Sequence, residues 1–214
     1  MYKSFFKRFF DFILSLTALL VLSPILLLLT VLGTIAMKGN PFYTQKRPGK
    51  NERIFRLIKF RSMSNARDEN GKLLPDRIRL NKYGRFLRST SLDELPELLN
   101  ILIGDMSIVG PRPLAVQYLP YYNEQERKRH SVLPGLTGLA QINGRNAANW
   151  PERFAYDVQY VENLSLWLDI QIIFKTVAKV LKRGDVIVCG TGEVVDFDKF
   201  RQQELEKEKV APHE

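Results

Sequence analysis

Asp93 and Glu94 are two adjacent carboxylates in a part of the chain rich in cations. Arg85 and Arg88 precede them, and Arg112 follows within Val109-Gly110-Pro111-Arg112-Pro113. Such a set suits work on phosphates, because an acid can act on an anionic phosphorus only once its charge is screened by cations or a divalent ion. Pro111 and Pro113 restrict the backbone on both sides of Arg112, so its planar fork is presented to a phosphate with little loss of freedom. Each part also has a plainer reading. Acids in a first helical turn complement the helix dipole, and Gly-Pro-Arg-Pro makes a stiff turn.

Three other clusters carry polar chemistry. Lys59-Phe60-Arg61-Ser62-Met63 closes a β-prone run, placing two cations at a strand end. Pro134-Gly135-Leu136-Thr137-Gly138 and Gln141-Ile142-Asn143-Gly144-Arg145 form a glycine-rich stretch ending in a cation, where the backbone can approach a ligand closely or simply turn. Tyr156-Asp157, Tyr160, Asn163, Ser165 and Asp169 follow. His130 and His213 are the only histidines and Cys189 the only cysteine, so the sequence offers no zinc set and no intrachain disulfide. It has neither a Walker loop nor a Ser/His/Asp order.

The elements that position these groups suggest a mixed α/β, helix-rich domain. Residues 42–45 and 54–60 are β-prone around the turn residues Arg47-Pro48-Gly49-Lys50, which predicts a hairpin. Residues 64–78 read as a surface loop and 79–87 as a short helix. Ser91 and Glu94 fit a capping box opening a helix that runs to Ile103 and stops at Gly104. Residues 120–131 form a short charged helix. Residues 166–183 form a longer one, with Lys175, Lys179 and Lys182 beside a broad apolar face, which fits either an interfacial amphipathic helix or a core helix with a solvated stripe. Residues 188–214 read as a charged tail or frayed helix without catalytic content.

The first fifty residues place the domain at a membrane. Residues 12–37 contain no charged side chain, a run of 26 residues, against the roughly 20 needed to cross a bilayer. Lys3, Lys7 and Arg8 flank it on one side and Lys38, Lys46, Arg47 and Lys50 on the other, so both ends read as cytoplasmic. Ser23-Pro24 stands at its centre, where the proline removes a backbone donor and the serine hydroxyl can bond a freed carbonyl. Residues 1–37 are therefore expected to be a re-entrant membrane helix, broken at Ser23-Pro24 and returning to its face of entry. A proline-kinked single-pass anchor is the main alternative; a cleavable signal peptide has a shorter apolar core. The net charge of +9 suits an anionic membrane surface. A membrane-tethered nucleic-acid binder is the non-enzymatic alternative, and the chain shows no DNA- or RNA-binding motif.

Taken together, Lys59-Phe60-Arg61-Ser62-Met63, Leu92-Asp93-Glu94-Leu95-Pro96, Gly110-Pro111-Arg112-Pro113, Pro134-Gly135-Leu136-Thr137-Gly138 and Gln141-Ile142-Asn143-Gly144-Arg145, behind a Ser-Pro-broken membrane helix, resemble the bacterial sugar transferase family, the monotopic phosphoglycosyl transferases. The resemblance covers roughly residues 1–187. It implies a catalytic domain over residues 38–187, on the cytoplasmic face of the bacterial inner membrane, and a minimal core without the multi-span extensions of larger members. The implied reaction is Mg²⁺-dependent transfer of a sugar 1-phosphate from a UDP-sugar to undecaprenyl phosphate, releasing UMP. Within the family the overall likeness points to N,N′-diacetylbacillosamine 1-phosphate, a diacetamido trideoxyhexose phosphate used in protein N-glycosylation, with another UDP-hexose for O-antigen, capsule or exopolysaccharide as the alternative. Carried over to this chain, the resemblance makes Asp93 the nucleophile of an aspartyl phosphosugar intermediate. It gives Glu94 metal or proton handling, and Arg112, behind Pro111, a phosphate. Lys59, Arg88 and Arg145 would contact the diphosphate or nucleotide, and Asp157 is a further polar-site residue.

Overall fold

The computed structural model describes residues 2–143, 149–181 and 196–210. A short π-helical turn, Tyr2–Phe6, leads into helix α1, Lys7–Met37, which is long and apolar enough to cross a membrane. The backbone stays helical through Ser23-Pro24, so the two arms expected there are one helix. The reason is local. Pro24 cannot donate to the Leu20 carbonyl, but the Ser23 hydroxyl donates to that oxygen at 2.8 Å and satisfies it without a break.

The hairpin forms as expected and runs further. Strands β1 (Phe42–Pro48) and β2 (Ile54–Phe60) pair antiparallel, with Tyr43 opposite Lys59 and Arg47 opposite Phe55. Helices α2 (Asp76–Arg79) and α3 (Lys82–Thr90) then replace the single helix predicted over 79–87. The capping box at Ser91 does not form. Ser91 adopts a left-handed conformation (φ 57°) that ends α3, Leu92–Glu94 makes a 3-10 turn, and α4 (Glu97–Ile103) starts only after Pro96. Glu94 is thereby released from capping duty.

A second sheet was not legible in the sequence. Strands β3 (Ser107–Val109) and β4 (Gly135–Thr137) pair in parallel and hold the Gly-Pro-Arg-Pro and Pro-Gly-Leu-Thr-Gly segments together. Their glycines serve backbone-to-backbone approach rather than approach to a ligand. A Cβ at Gly135 would lie 2.0 Å from the Gly110 nitrogen, and one at Gly138 would lie 2.2 Å from the Gly110 carbonyl oxygen. Residues 116–131 break into two 3-10 turns and the four-residue helix α5 (Glu124–Arg127). Helices α6 (Leu139–Asn143), α7 (Trp150–Glu162), α8 (Leu166–Leu181) and α9 (Phe197–Val210) complete the described fold.

Helix α1 is part of the domain's packing along its length. Ala18, Leu19 and Leu22 pack on Phe55, Leu57, Leu98, Ile101 and Met106, and Leu26 and Leu29 join Phe60 and Leu87. At its start, Lys7 pairs with Asp169 at 2.7 Å, Arg8 donates to the Leu102 carbonyl at 2.6 Å, and Asp11 accepts from the Ile108 backbone at 3.0 Å. At its far end, Tyr83 donates to the Leu29 carbonyl at 2.8 Å and Asn81 to the Ala36 carbonyl at 3.2 Å. The outward face leaves Leu20, Val21, Leu27, Leu28 and Ile35 exposed. Helix α8 likewise exposes Trp167, Phe174 and Val177 next to Lys175; Lys182 lies outside the described residues.

The C-terminal segment departs from the frayed tail expected of it. Helix α9 docks through Phe197, 0 % exposed, into an aromatic cluster of Tyr118, Tyr122, Trp150 and Phe154, with ring centroids 4.8–5.5 Å from its own. Arg201 pairs with Glu126, and Gln202 donates to Tyr121 at 3.0 Å. One buried aromatic ring anchors an otherwise charged helix.

Candidate functional site

The hairpin, the 3-10 turn at 92–94, the loop after β3 and helices α7 and α8 surround a cavity of about 890 Å³. Lys59, Arg88, Asp93, Glu94, Arg112 and Asp157 all line it. Six residues from five separate stretches of sequence thus meet in one place. Arg145 lies outside the described residues, and Pro111 supports the site through its backbone carbonyl, which accepts from the Gly135 nitrogen at 3.0 Å.

Glu94 is the electrostatic centre. Lys59 Nζ and Arg112 Nη2 both donate to its Oε1, at 2.8 and 2.6 Å, leaving Oε2 for another partner. Lys59 also stands 2.9 Å from Glu97 Oε1, an ion pair without hydrogen-bond alignment. Burial alone would raise the Glu94 pKa, but the charges of Arg112 and Lys59 outweigh it and pull the value down to about 2. Glu97, 2 % exposed, goes the other way: burial raises it to about 7 and the Glu94 charge adds to the rise, against the opposing pull of Lys59.

Asp93 faces the same cavity with a different balance. Among the described residues no Lys or Arg nitrogen lies within ion-pair distance of it. Burial and the neighbouring Glu94 raise its pKa, while Lys59, Arg112 and Arg88 lower it from further away. Among the described residues Asp93 is a carboxylate without an ion-pair partner in a cationic field, the setting in which an acid can reach an anionic phosphorus.

The comparisons agree with this chemistry. The family model for bacterial sugar transferases matches residues 2–183. The chain belongs to the bacterial sugar transferase family. It is a phosphoglycosyl transferase. It is 50 % identical over 176 residues to the uncharacterized sugar transferase EpsL of Bacillus subtilis (strain 168), covering 82 % of this chain and 87 % of that protein. It is 43 % identical over 188 residues to the UDP-glucose:undecaprenyl-phosphate glucose-1-phosphate transferase of Klebsiella pneumoniae, covering 81 % of this chain and 40 % of the relative. A third relative is the undecaprenyl-phosphate galactose phosphotransferase of Salmonella typhimurium (strain LT2), 38 % identical over 197 residues, with 84 % and 41 % covered. The chain therefore spans most of EpsL but about two fifths of the two relatives named for a reaction.

Within the transferase, Asp157 and Arg88 hold the cavity wall. The buried Asp157 Oδ2 accepts from Arg129 Nε and Nη2 at 2.9 and 2.8 Å, and Arg129 Nη2 also donates to the Arg112 carbonyl at 2.6 Å. Asp157 thus fixes the arginine that fixes the Arg112 backbone. Arg88 Nε donates to Ser62 Oγ at 2.9 Å. Tyr160 and Asp169 belong elsewhere: Tyr160 donates to Asp169 Oδ1 at 2.7 Å and to the Val109 carbonyl at 3.0 Å, tying α7 and α8 to β3.

Sequence reasoning missed Glu97 and Arg129. Glu97 had a local signal, since it stands three residues after Glu94 and near-helical spacing brings such residues to one side. Arg129 had none within its charged run.

Proposed function

We propose that this transferase moves a sugar 1-phosphate from a UDP-sugar to undecaprenyl phosphate at the cytoplasmic face of the bacterial inner membrane, with Asp93 as the nucleophile. The carrying observation is that, among the described residues, Asp93 has no ion-pair partner in a cavity whose other acids are held, Glu94 by Lys59 and Arg112 and Asp157 by Arg129. An Asp93 oxygen attacks the β-phosphorus, the bond from that phosphorus to the bridging oxygen breaks, and UMP leaves. An oxygen of the acceptor phosphate then attacks the same phosphorus and releases the Asp93 carboxylate, giving the polyprenyl diphosphate sugar. Lys59, Arg88 and Arg112 steady the phosphoryl oxygens, and Arg145 is assigned to the donor on the family motif.

Mg²⁺ fits the donor set. Asp93 and Glu94 line the cavity and their carboxylates are hard oxygen donors, and Mg²⁺ binds through one or two carboxylates plus substrate phosphates. Bound there, it would neutralise charge on the diphosphate.

The sugar is proposed to be a hexose. The two relatives named for a reaction are named for glucose and galactose phosphates, whereas none of the three is named for the diacetamido sugar suggested by overall likeness. Measuring UMP release with polyprenol phosphate and a panel of UDP-glucose, UDP-galactose and UDP-diacetamido sugars tests both points. Release with no member of the panel would refute the reading, and preference for the diacetamido donor would restore that sugar.

The membrane part of the proposal is monotopic insertion, with both ends of the continuous helix α1 held on the side of the catalytic domain. Support comes from α1 itself: Lys7 and Arg8 at one end and Leu29 and Ala36 at the other bond the same domain. A spanning helix would carry one end across about 30 Å of hydrocarbon, away from those partners. Both Tyr2→Cys and Lys50→Cys, in a Cys189→Ser background, should resist an impermeant thiol reagent added to intact cells. Labelling of Tyr2→Cys from outside would overturn the topology.

A further inference from the structure

We infer that Arg47, oriented by Gln45, is an anion-binding residue that takes a phosphate in the cavity separately from Arg112. The inference rests on the proposed function only in that both substrates are phosphates.

Strand periodicity presents Tyr43, Gln45 and Arg47 on one face of β1, and all three line the cavity. Arg47 Nη2 donates to Gln45 Oε1 at 2.7 Å, which fixes the plane of the guanidinium. Its Nε is buried without a hydrogen-bond partner, and among the described residues no carboxylate lies within ion-pair distance of it. Lys59, Arg112 and Arg129 differ in this respect, each facing an acid.

A half-buried cation with an idle donor is unfavourable by itself, and a like charge close by makes it more so. Burial and the Arg112 charge both push the Arg47 pKa down. Entry of a dianion into the cavity gives the Arg47 charge a partner, through guanidinium nitrogens other than the enclosed Nε, and screens Arg47 and Arg112 from each other. The ligand chemistry is a phosphate, either of the donor's diphosphate or of the lipid acceptor.

The test compares full-length wild-type protein with Arg47→Met, which keeps an apolar stem, and Arg47→Lys, which keeps the charge. The readouts are KM for UDP-sugar, KM for polyprenol phosphate, affinity for pyrophosphate and thermal midpoint. Arg47→Met should raise one KM about tenfold or more, as expected for loss of a charged hydrogen bond, and weaken pyrophosphate binding. Its midpoint should be unchanged or higher, and Arg47→Lys should recover part of the affinity. A rise in donor KM identifies the diphosphate; a rise in acceptor KM identifies the lipid phosphate. Both KM values and pyrophosphate affinity within twofold of wild type would overturn the inference, as would a lower midpoint with neither KM moved. If the wild type transfers no sugar phosphate, the functional reading fails by itself, and pyrophosphate affinity still decides the role of Arg47.

Discussion

Arg129 joins the Arg112 backbone to Asp157, donating to the Arg112 carbonyl at 2.6 Å while both its Nε and Nη2 are held by Asp157. The prolines around Arg112 restrict its torsions, and this ion pair fixes where the segment sits. The phosphate-facing residue is thus positioned by a buried pair behind it.

Removing the acid should therefore damage both fold and site. Asp157→Ala leaves the buried Arg129 charge unpaired, which costs about 3–5 kcal/mol. Urea unfolding should show that loss, and kcat should fall in whatever protein remains folded. Wild-type stability with wild-type kinetics would mean that the pair positions nothing.

Helix α9 should matter to activity although it lies at the end of the described chain. Phe197 packs on Trp150 and Phe154, which line the cavity. Phe197→Ala should cost about 3–5 kcal/mol as a buried aromatic truncation. Thermal melting checks the stability, and a raised substrate KM in the folded fraction would show the loosened wall. An unchanged melting midpoint would contradict the docking.

The acids predict a particular pH response. Asp93 has a folded pKa raised by burial and Glu94, so its ionisation is opposed by the fold: its contribution to stability is present below the usual aspartate range and is lost as pH rises through the folded value. Asp93→Asn should consequently be inactive yet at least as stable as wild type at neutral pH. Glu94 has the opposite sign. Its contribution is present above the usual glutamate range and is lost as pH falls toward about 2. With Glu97 near 7, the acid side of the rate profile should carry a limb around neutrality that Glu97→Gln removes. Melting curves and kcat profiles for the three variants test these signs.

The sequence exposed the local half of this design. Lys59 at a strand end, the Asp93-Glu94 pair and the proline-flanked Arg112 were visible because residue type and neighbours define them. What lay beyond reach depended on distant partners or small backbone choices. Ser91 satisfied a capping pattern, but its left-handed torsion ends α3 and frees Glu94 for Lys59 and Arg112. Strands β3 and β4 are three residues each, too short for periodicity to show. Ser23-Pro24 promised a break, and one hydroxyl to the Leu20 carbonyl kept the helix whole. Phe197 stands in a charged run, and the pocket that buries it is built by Tyr118, Tyr122, Trp150 and Phe154, far from it in the sequence.

The central claim is that Asp93 holds the sugar phosphate covalently. Enzyme, Mg²⁺ and a UDP-sugar substrate, mixed without acceptor, should release UMP up to about the enzyme concentration and add one sugar-phosphate mass to the peptide containing Asp93. Asp93→Asn should show neither. UMP appearing only when polyprenol phosphate is present, with no adduct on the Asp93 peptide under conditions of rapid turnover, would contradict the account and favour direct attack by the acceptor.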